Sequence, residues 1–376
     1  MSAITCHSCS FVNQPNSLYC FRCGAPLTQV LCPNCRSQIP AHLNACPRCG
    51  YPIQRQKLTS YVPSMTMGQY HTDPSTRPRG GLADVMLLYR LLTKKRGPIY
   101  RASPAVYERL GLQTIASAGH YLTLALIIFF LGLATASIVL DLQGLAAMLP
   151  ASIVAALLPA MAFLAWMRMN DRLEPEPVWL VALAWGWGVF SILPAIIINN
   201  LLIGTVGWSG LAGFTEEPIK ILGVYLIATS PKLRSEFNDH LDGLLYGAAA
   251  GLGFAFGENI LYIARSLEAA PLIIPVRIIT MSMHMFTTGL IGYWMGYLKV
   301  HGLALRFSAL LPALAFSAFT HMLWNTIADL LGTIALIVVF IWGPVLVYHL
   351  SKMAREALVD EYFWGYGHGY APRESR

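Results

Sequence analysis

The sequence predicts an all-α polytopic membrane protein of about eight transmembrane helices, preceded by a small double zinc-ribbon module. Three observations carry that reading. The 376 residues are 55% hydrophobic and only 12% charged, with a mean hydropathy of +0.52, which excludes an ordinary soluble domain. All eight cysteines fall within the first 49 residues, in a repeated pattern. From Tyr121 onward the chain is a series of apolar runs of membrane-crossing length.

The cysteines come first. Cys6-x2-Cys9-x10-Cys20-x2-Cys23 is followed by Cys32-x2-Cys35-x10-Cys46-x2-Cys49, offset by 26 residues at every cysteine. Arg22, Gly24 and Pro26 recur as Arg48, Gly50 and Pro52. Four thiolates close a tetrahedral zinc site, so two structural zinc ions are expected over residues 1–50. A disulfide framework would need an oxidising compartment. Met1–Cys6 has neither a basic start nor an apolar run, so no signal peptide is expected ahead of the cysteines. Residues 1–49 carry three Arg, no Lys and no acidic residue. That basic patch is too small for a nucleic-acid footprint and favours a cytosolic protein partner for the ribbons.

Residues 51–118 read as a linker. The part over 50–80 is rich in Pro, Ser, Thr and Gln. Leu82–Leu92, followed by Lys94-Lys95-Arg96, reads as a short amphipathic helix, either at the inner membrane face or simply solvated.

The membrane domain is expected over 119–352, with spans near 121–140, 145–167, 178–203, 214–229, 242–264, 272–298, 305–325 and 330–350, and a tail over 353–376. Arg168, Arg172, Lys232, Arg234, Lys299, Arg306, Lys352 and Arg355 fall in alternate loops. The loops near 141–145, 204–213 and 326–332 contain no Lys or Arg. The positive-inside rule then places both termini in the cytoplasm of a multi-pass cell-membrane protein. Residues 1–120 add 13 Lys+Arg against 3 Asp+Glu, a balance suited to anionic headgroups of the lipid bilayer. Cytoplasmic cysteines sit in a reducing compartment, which removes the disulfide reading.

The fourth run breaks the apolar pattern with Glu216, Glu217 and Lys220. Charged groups in a span are costly and pair, line a cavity or mark a site. Pro218 fits the first turn of a helix and Thr215 is a good N-cap, so the helix is expected to start at Glu216. It would run to about Ala228, roughly 20 Å, short of a full crossing. Gly204–Gly213 would dip into the membrane ahead of it. Glu258, His284 and His321 interrupt three later runs. With cytoplasmic termini, all of these groups lie between the middle and the outer face of the bilayer. Phe254 and Glu258 are i,i+4, as are His321 and Asn325, and Glu216 and Glu217 share a helix face with Lys220. Gly243, Gly247 and Gly251 form one stripe of small residues and Gly253 and Gly257 another, which lets helices approach closely.

Carboxylates and histidines gathered in a protected pocket suit hydrolysis. A buried carboxylate takes a proton from water; histidine, or a metal held by histidine, stabilises the oxyanion. Blander readings stand beside this one. Glu217 with Lys220 is also a structural ion pair, and a lone intramembrane His is often a packing residue. A proton- or ion-coupled transporter with a ribbon cap uses the same residue types, and a scaffold without catalysis is a third reading. Asp242 reads as a helix-start cap.

Glu216-Glu217-x-x-Lys220, Phe254-x-x-x-Glu258-Asn259, Arg277-x6-His284 and His321-x-x-Trp324-Asn325 resemble the motifs of the PrsW family of intramembrane proteases, related to the CAAX prenyl endopeptidase group. Asp171-Arg172-x-Glu174-Pro175-Glu176-Pro177 and Asp242-Gly243-Leu244-Leu245-Tyr246-Gly247 are similar to its loop and helix signatures. The likeness covers roughly 160–350. It implies an intramembrane endopeptidase that cuts membrane-associated proteins, as in regulated proteolysis signalling. Glu216, Glu217, Glu258, His284 and His321 would be its catalytic residues, and Lys220, Arg277 and Asn325 its supporting ones. Either Glu216 or Glu217 would activate water. A catalytic divalent metal, held by His284, His321 and Glu258, and a metal-free glutamate mechanism are both consistent with it.

Overall fold

A computed structural model describes residues 77–93, 145–171, 175–234, 236–265, 270–301, 303–331 and 334–367, with short stretches of the N-terminal 40 residues. The expected first span (121–140) lies outside the described residues, as do Cys6, Cys9, Cys20, Cys23, Cys32, Cys46 and Cys49.

Two antiparallel hairpins mark the N-terminal repeat. β1 (Ile4–Thr5) pairs with β2 (Val12–Asn13), and β3 (Gln29–Leu31) with β4 (Gln38–Pro40). Ile4, Thr5, Val12 and Asn13 shifted by 26 residues are Val30, Leu31, Gln38 and Ile39, so the period of the cysteines is also the period of the strands. Each hairpin brackets the first Cys-x2-Cys of its repeat. Arg36, directly after Cys35, has φ 54°, the left-handed conformation that a tight turn requires.

Eight α-helices follow among the described residues: α1 (Leu82–Thr93), α2 (Leu145–Arg168), α3 (Val178–Val206), α4 (Ala212–Thr229), α5 (His240–Arg265), α6 (Ala270–Val300), α7 (Phe307–Leu331) and α8 (Ile334–Gly367). Five of them, α3 and α5 to α8, are long and apolar enough to cross a membrane; α2 adds a shorter apolar helix over Ile153–Arg168. The chain is thus a multi-pass membrane protein, with five such spans among the described residues, which do not include the first of the eight expected.

α6 is the axis of the bundle: 83% of its apolar window is buried, against 33% for α3. α3 is an outer wall. Leu180, Ala184, Gly188, Ser191 and Ala195 form its buried stripe, and Leu183, Phe190, Leu193, Ile197 and Leu201 its exposed one, the period of a helix with one face to lipid. The two glycine stripes of α5 have separate duties. A Cβ at Gly243 or Gly251 would strike the Gly292 or His284 carbonyl of α6; one at Gly253 would strike the Trp185 carbonyl of α3. α5 is therefore pressed between α6 and α3 at main-chain distance.

Three helix ends differ from expectation. α4 begins at Ala212, not Glu216, and Thr215 is not its cap. Gly207, at φ 74°, closes α3 in the left-handed conformation and donates to the Ile203 carbonyl. A 3-10 turn over Ser209–Leu211 then starts the next helix. That turn is tied to α7: Trp208 Nε1 donates to Thr326 Oγ1 at 3.0 Å, and Ser209 donates to Asp329. These ties set the start one turn early and leave Pro218 inside the helix, unable to donate to the Phe214 carbonyl. The second difference is at α5, which has a reciprocal cap. Asp239 Oδ1 accepts from the Leu241 and Asp242 amides, and Asp242 Oδ2 from the Asn238 and Asp239 amides. The expected cap, Asp242, is the N3 half of that box, and Asp239 is the N-cap. Third, α8 continues past 350 to Gly367, into the expected tail. Met353, Ala354, Ala357 and Leu358 are buried at helical spacing, and His240 Nε2 lies 3.0 Å from Asp360 Oδ2.

α1 forms as expected and lies on the protein. Leu87, Leu88 and Leu92 are buried, and Lys352 of α8 donates to the Leu91 and Leu92 carbonyls at 3.2 and 3.3 Å.

Candidate active site

The main-chain contacts carry the polar groups together. A Cβ at Gly213 of α4 would meet the backbone of Ala318 and Met322 on α7, either side of His321. Gly251 of α5 brings His284 of α6 beside Phe254 and Glu258 one and two turns on. Glu216, Glu217, Lys220, Glu258, Arg277, His284 and His321 thus meet in one cluster, drawn from α4, α5, α6 and α7.

The two adjacent carboxylates of α4 differ sharply. Glu217 is fully buried and closely surrounded, above all at Oε1. Its Oε1 lies 2.9 Å from Lys220 Nζ, 2.9 Å from His321 Nδ1 and 3.0 Å from Thr287 Oγ1, and its Oε2 lies 3.0 Å from Thr288 Oγ1. Glu216 is less committed. Its Oε1 accepts from Asn199 Nδ2 at 2.9 Å. Its Oε2 lies 3.1 Å from Lys220 Nζ and 3.8 Å from His321 Nε2, and makes no well-aligned hydrogen bond with either.

The third carboxylate belongs to a chain of supports. Glu258 Oε2 accepts from Arg277 Nη2 at 2.6 Å and lies 2.8 Å from His284 Nε2. Arg277 Nε donates to Asn259 Oδ1 at 2.7 Å, and the guanidinium lies 4.3 Å from the Tyr262 ring centre. The side chains of Glu258 and Arg277 are 20% and 13% exposed where those of Glu217 and Lys220 are at 0%. The cluster therefore opens at its Glu258–Arg277 edge.

Bonding logic assigns the imidazole protons. Lys220 Nζ, 3.0 Å from His284 Nδ1, is an ammonium with no lone pair to give. Nδ1 of His284 is therefore the acceptor, and Nε2–H points to Glu258. His321 donates Nδ1–H to Glu217, which leaves the Nε2 lone pair on the side of Glu216. The two rings are edge to face at 5.1 Å. Lys220 also lies 4.2 Å from the Phe254 ring centre, the role of Phe254 in its i,i+4 pair.

Glu216, His284 and His321 each offer one ligand atom, all within 4.8 Å of one another. Two imidazoles and a carboxylate are an ordinary zinc donor set, and Glu216 Oε2 is a buried oxygen lacking a hydrogen-bond partner. The donors fit a divalent metal. Glu258, expected among the ligands, does not belong to the set, because Arg277 and His284 hold it. Asn325, expected beside His321, donates to the Ser209 carbonyl at 3.4 Å and braces the 3-10 turn.

Asn199, Asn259, Thr215, Thr287 and Thr288 reach this network without having been singled out as site residues. Thr287 and Thr288 stand three and four residues after His284, a spacing that could have found them.

Residues 176–349 match the profile of the PrsW family intramembrane metalloproteases, and residues 6–50 match the double zinc ribbon profile. Several relatives share the name Protease PrsW. The Bacillus subtilis protein is 28% identical over 195 residues, which is 48% of this chain and 86% of the relative. That of Oceanobacillus iheyensis is 27% identical over 221 residues, 54% and 95% respectively. That of Geobacillus kaustophilus is 30% identical over 147 residues, 37% and 63%. No solved structure matches the chain at a significant level. The membrane part of this chain is therefore similar to the PrsW family intramembrane metalloproteases, and residues 6–50 ahead of it are similar to a double zinc ribbon.

Proposed function

We propose that the chain is an intramembrane endopeptidase in which Glu216 activates water and Glu217 holds the site together. The observation that carries this is the inequality of the two carboxylates. Glu217 has four donor groups around it, three at Oε1 and one at Oε2, whereas Glu216 has Asn199 at Oε1 and, at Oε2, only the Lys220 ammonium without an aligned hydrogen bond. The family profile and the relatives favour hydrolysis over ion transport.

In this reading Glu216 takes a proton from water, and the hydroxide oxygen bonds to the scissile carbonyl carbon. Lys220, 3.1 Å from Glu216 Oε2, supplies positive charge beside the developing oxyanion. The C–N bond then breaks, and the proton held by Glu216 passes to the leaving amine. Thr287 and Thr288 fix Glu217, which fixes Lys220 and His321; Asn259 fixes Arg277, which fixes Glu258 and through it His284. In the alternative form of the site a divalent metal would be held by Glu216, His284 and His321, with Glu216 serving as a ligand in place of the free base, and when bound would supply Lewis-acid polarisation of the carbonyl. Lys220 shares the same donors and would have to yield His284 Nδ1.

The reading extends to the rest of the chain. Cys6, Cys9, Cys20 and Cys23 would hold one structural zinc, and Cys32, Cys35, Cys46 and Cys49 a second; the matched hairpins support this. Both termini would be cytoplasmic, a placement that rests on the loop charges. Substrates would be single-span membrane proteins.

The test is cleavage of a panel of single-span helices by the full chain in liposomes, with metal content measured in parallel. Cleavage is expected, with about two zinc per chain from the ribbons; loss of about one further metal to chelator together with activity would make Glu216 a ligand and not the free base. Metal-free protein that still cuts would keep the glutamate mechanism and discard the metal. Proton flux without cleavage would discard the protease.

A further inference from the structure

The less committed carboxylate of the site is aimed by a residue on a helix that contributes none of the motifs. Asn199 sits near the end of α3, in its sixth turn, where its amide reaches across to α4. Asn199 Nδ2 donates to Glu216 Oε1 at 2.9 Å, and Thr215 Oγ1 donates to Asn199 Oδ1 at 2.5 Å. The second oxygen of Glu216 then lies between Lys220 Nζ, at 3.1 Å, and His321 Nε2, at 3.8 Å.

We infer that Asn199 is a positioning residue for Glu216, and that Thr215 acts through it by fixing which way the amide points. This rests on Glu216 being the water-activating carboxylate.

The chemistry of the trio leaves few alternatives. An amide has one accepting end and one donating end, and its direction is set by its neighbours. A carboxylate only accepts, so Asn199 must offer Glu216 its NH2 end. That requires a donor at the other end, and the Thr215 hydroxyl is there. A hydroxyl has one proton: given to Asn199, it is not available to the Ala212 carbonyl 3.1 Å away, the usual target of a Thr inside a helix. Glu216 needs this help because its neighbour has taken the other donors. Thr287, Thr288 and His321 all serve Glu217. Without Asn199, Glu216 would have only Lys220 within reach. Both its oxygens could then swing to the ammonium, away from His321.

The arrangement also explains the early start of α4. A helix beginning at Glu216 with Thr215 as cap would spend the Thr215 hydroxyl on a backbone amide. Starting at Ala212 places Thr215 inside the first turn, with its hydroxyl turned to α3. The 3-10 turn that fixes this start is held by Trp208, Ser209 and Asn325, so α7 and α3 jointly set the direction of Glu216.

The experiment uses the full chain in liposomes and the fastest-cut member of a panel of single-span helices carrying donor and quencher dyes. Thr215→Val keeps the shape and removes the proton; Thr215→Ser keeps the proton. Asn199→Ala removes the amide. Losses of about 10- to 100-fold, typical for groups that orient the reacting ones, are expected in kcat for Thr215→Val and Asn199→Ala. KM should be nearly unchanged, and Thr215→Ser should recover most of the rate. The double variant should lose little more than Asn199→Ala alone, because the two residues act in series. A merely structural role would instead lower the melting temperature in step with activity, give additive losses and leave Thr215→Ser no better than Thr215→Val; any of these overturns the inference. If Asn199→Ala fails to fold, the Thr215 pair decides by itself. Glu216→Gln run alongside separates the two levels of the argument. Cleavage lost with Glu216→Gln but intact in the Thr215 and Asn199 variants removes the positioning role alone. Cleavage intact in Glu216→Gln removes the reading of Glu216 and this inference with it.

Discussion

The bundle buries acidic residues at both of its ends and stabilises them by different means. At one end, Asp171, Glu176, Asp239 and Asp242 gather where α3 and α5 begin. Glu176 N donates to Asp171 Oδ2 at 2.7 Å, Tyr246 donates to Glu176, and Asp239 and Asp242 accept the backbone amides of the α5 cap. At the other end, Glu216, Glu217 and Glu258 are held by Lys220, Arg277, Asn199, two threonines and two histidines. The first group uses donors that helix starts and loops leave free. The second stands in mid-helix, where backbone donors are already spent, so every partner must be a side chain. That is a costly way to bury a carboxylate, and its presence distinguishes a site from a cap.

Removing a cation should therefore damage the side-chain cluster more than any single change at the cap end. Lys220→Met leaves Glu216 and Glu217 adjacent and without their ammonium. Breaking a buried pair in this way costs about 3–5 kcal/mol, so the variant is expected to melt far below wild type in detergent, or to fail to accumulate. A melting temperature equal to wild type would show that the charges are not buried together.

Glu217→Gln should come next. The amide can still accept at its oxygen, but its NH2 end meets donors, which costs about 1–3 kcal/mol for unsatisfied buried groups. A fall in melting temperature and in activity together is the expected result. Lost activity at unchanged stability would instead make Glu217 the reacting carboxylate.

At the cap end the effect is a pH dependence. Burial pushes the Glu176 carboxyl up from 4.5 to about 8. The folded protein thus keeps a proton that the unfolded chain has released above the ordinary value. This contribution to stability is complete below about 4.5 and is lost as the pH rises through about 8. Glu176→Gln keeps a neutral group there and should flatten that part of the melting-temperature profile between pH 5 and 9. A variant with the same slope as wild type would refute it.

Smallest is the cap itself. Asp239→Ala removes the side chain that accepts the Leu241 and Asp242 amides and should cost about 1 kcal/mol, the usual loss of an N-cap, with cleavage unaffected. A loss of cleavage at this distance from Glu216 would tie the two ends together energetically.

Much of the active cluster was legible because mid-span charge is improbable without a partner. Glu258, His284 and His321 stood out for that reason, and the glycine stripes of α5 indicated that its neighbours would approach it closely, though not which helices they would be. Asn199 was not legible: it lies beside Asn200 at the end of the 178–203 run, where polar residues simply signal that a span is ending. The start of α4 was misplaced because Thr215 and Pro218 have the local form of an N-cap and an early helical position. What overrode them are bonds from Trp208 and Ser209 to residues of α7 about 120 positions away, which local preference cannot register. The unequal duties of Glu216 and Glu217 were equally hidden, since the four donors to Glu217 come from three helices.

The central claim is that inequality, and Glu216→Gln tests it most directly. The substitution keeps the shape and the acceptance from Asn199 at one oxygen while removing the base. Cleavage of a single-span helix by the reconstituted full chain should fall by about 10²- to 10⁴-fold, the usual worth of a general base, at a melting temperature close to wild type. Cleavage at the wild-type rate by a folded Glu216→Gln protein would contradict the account.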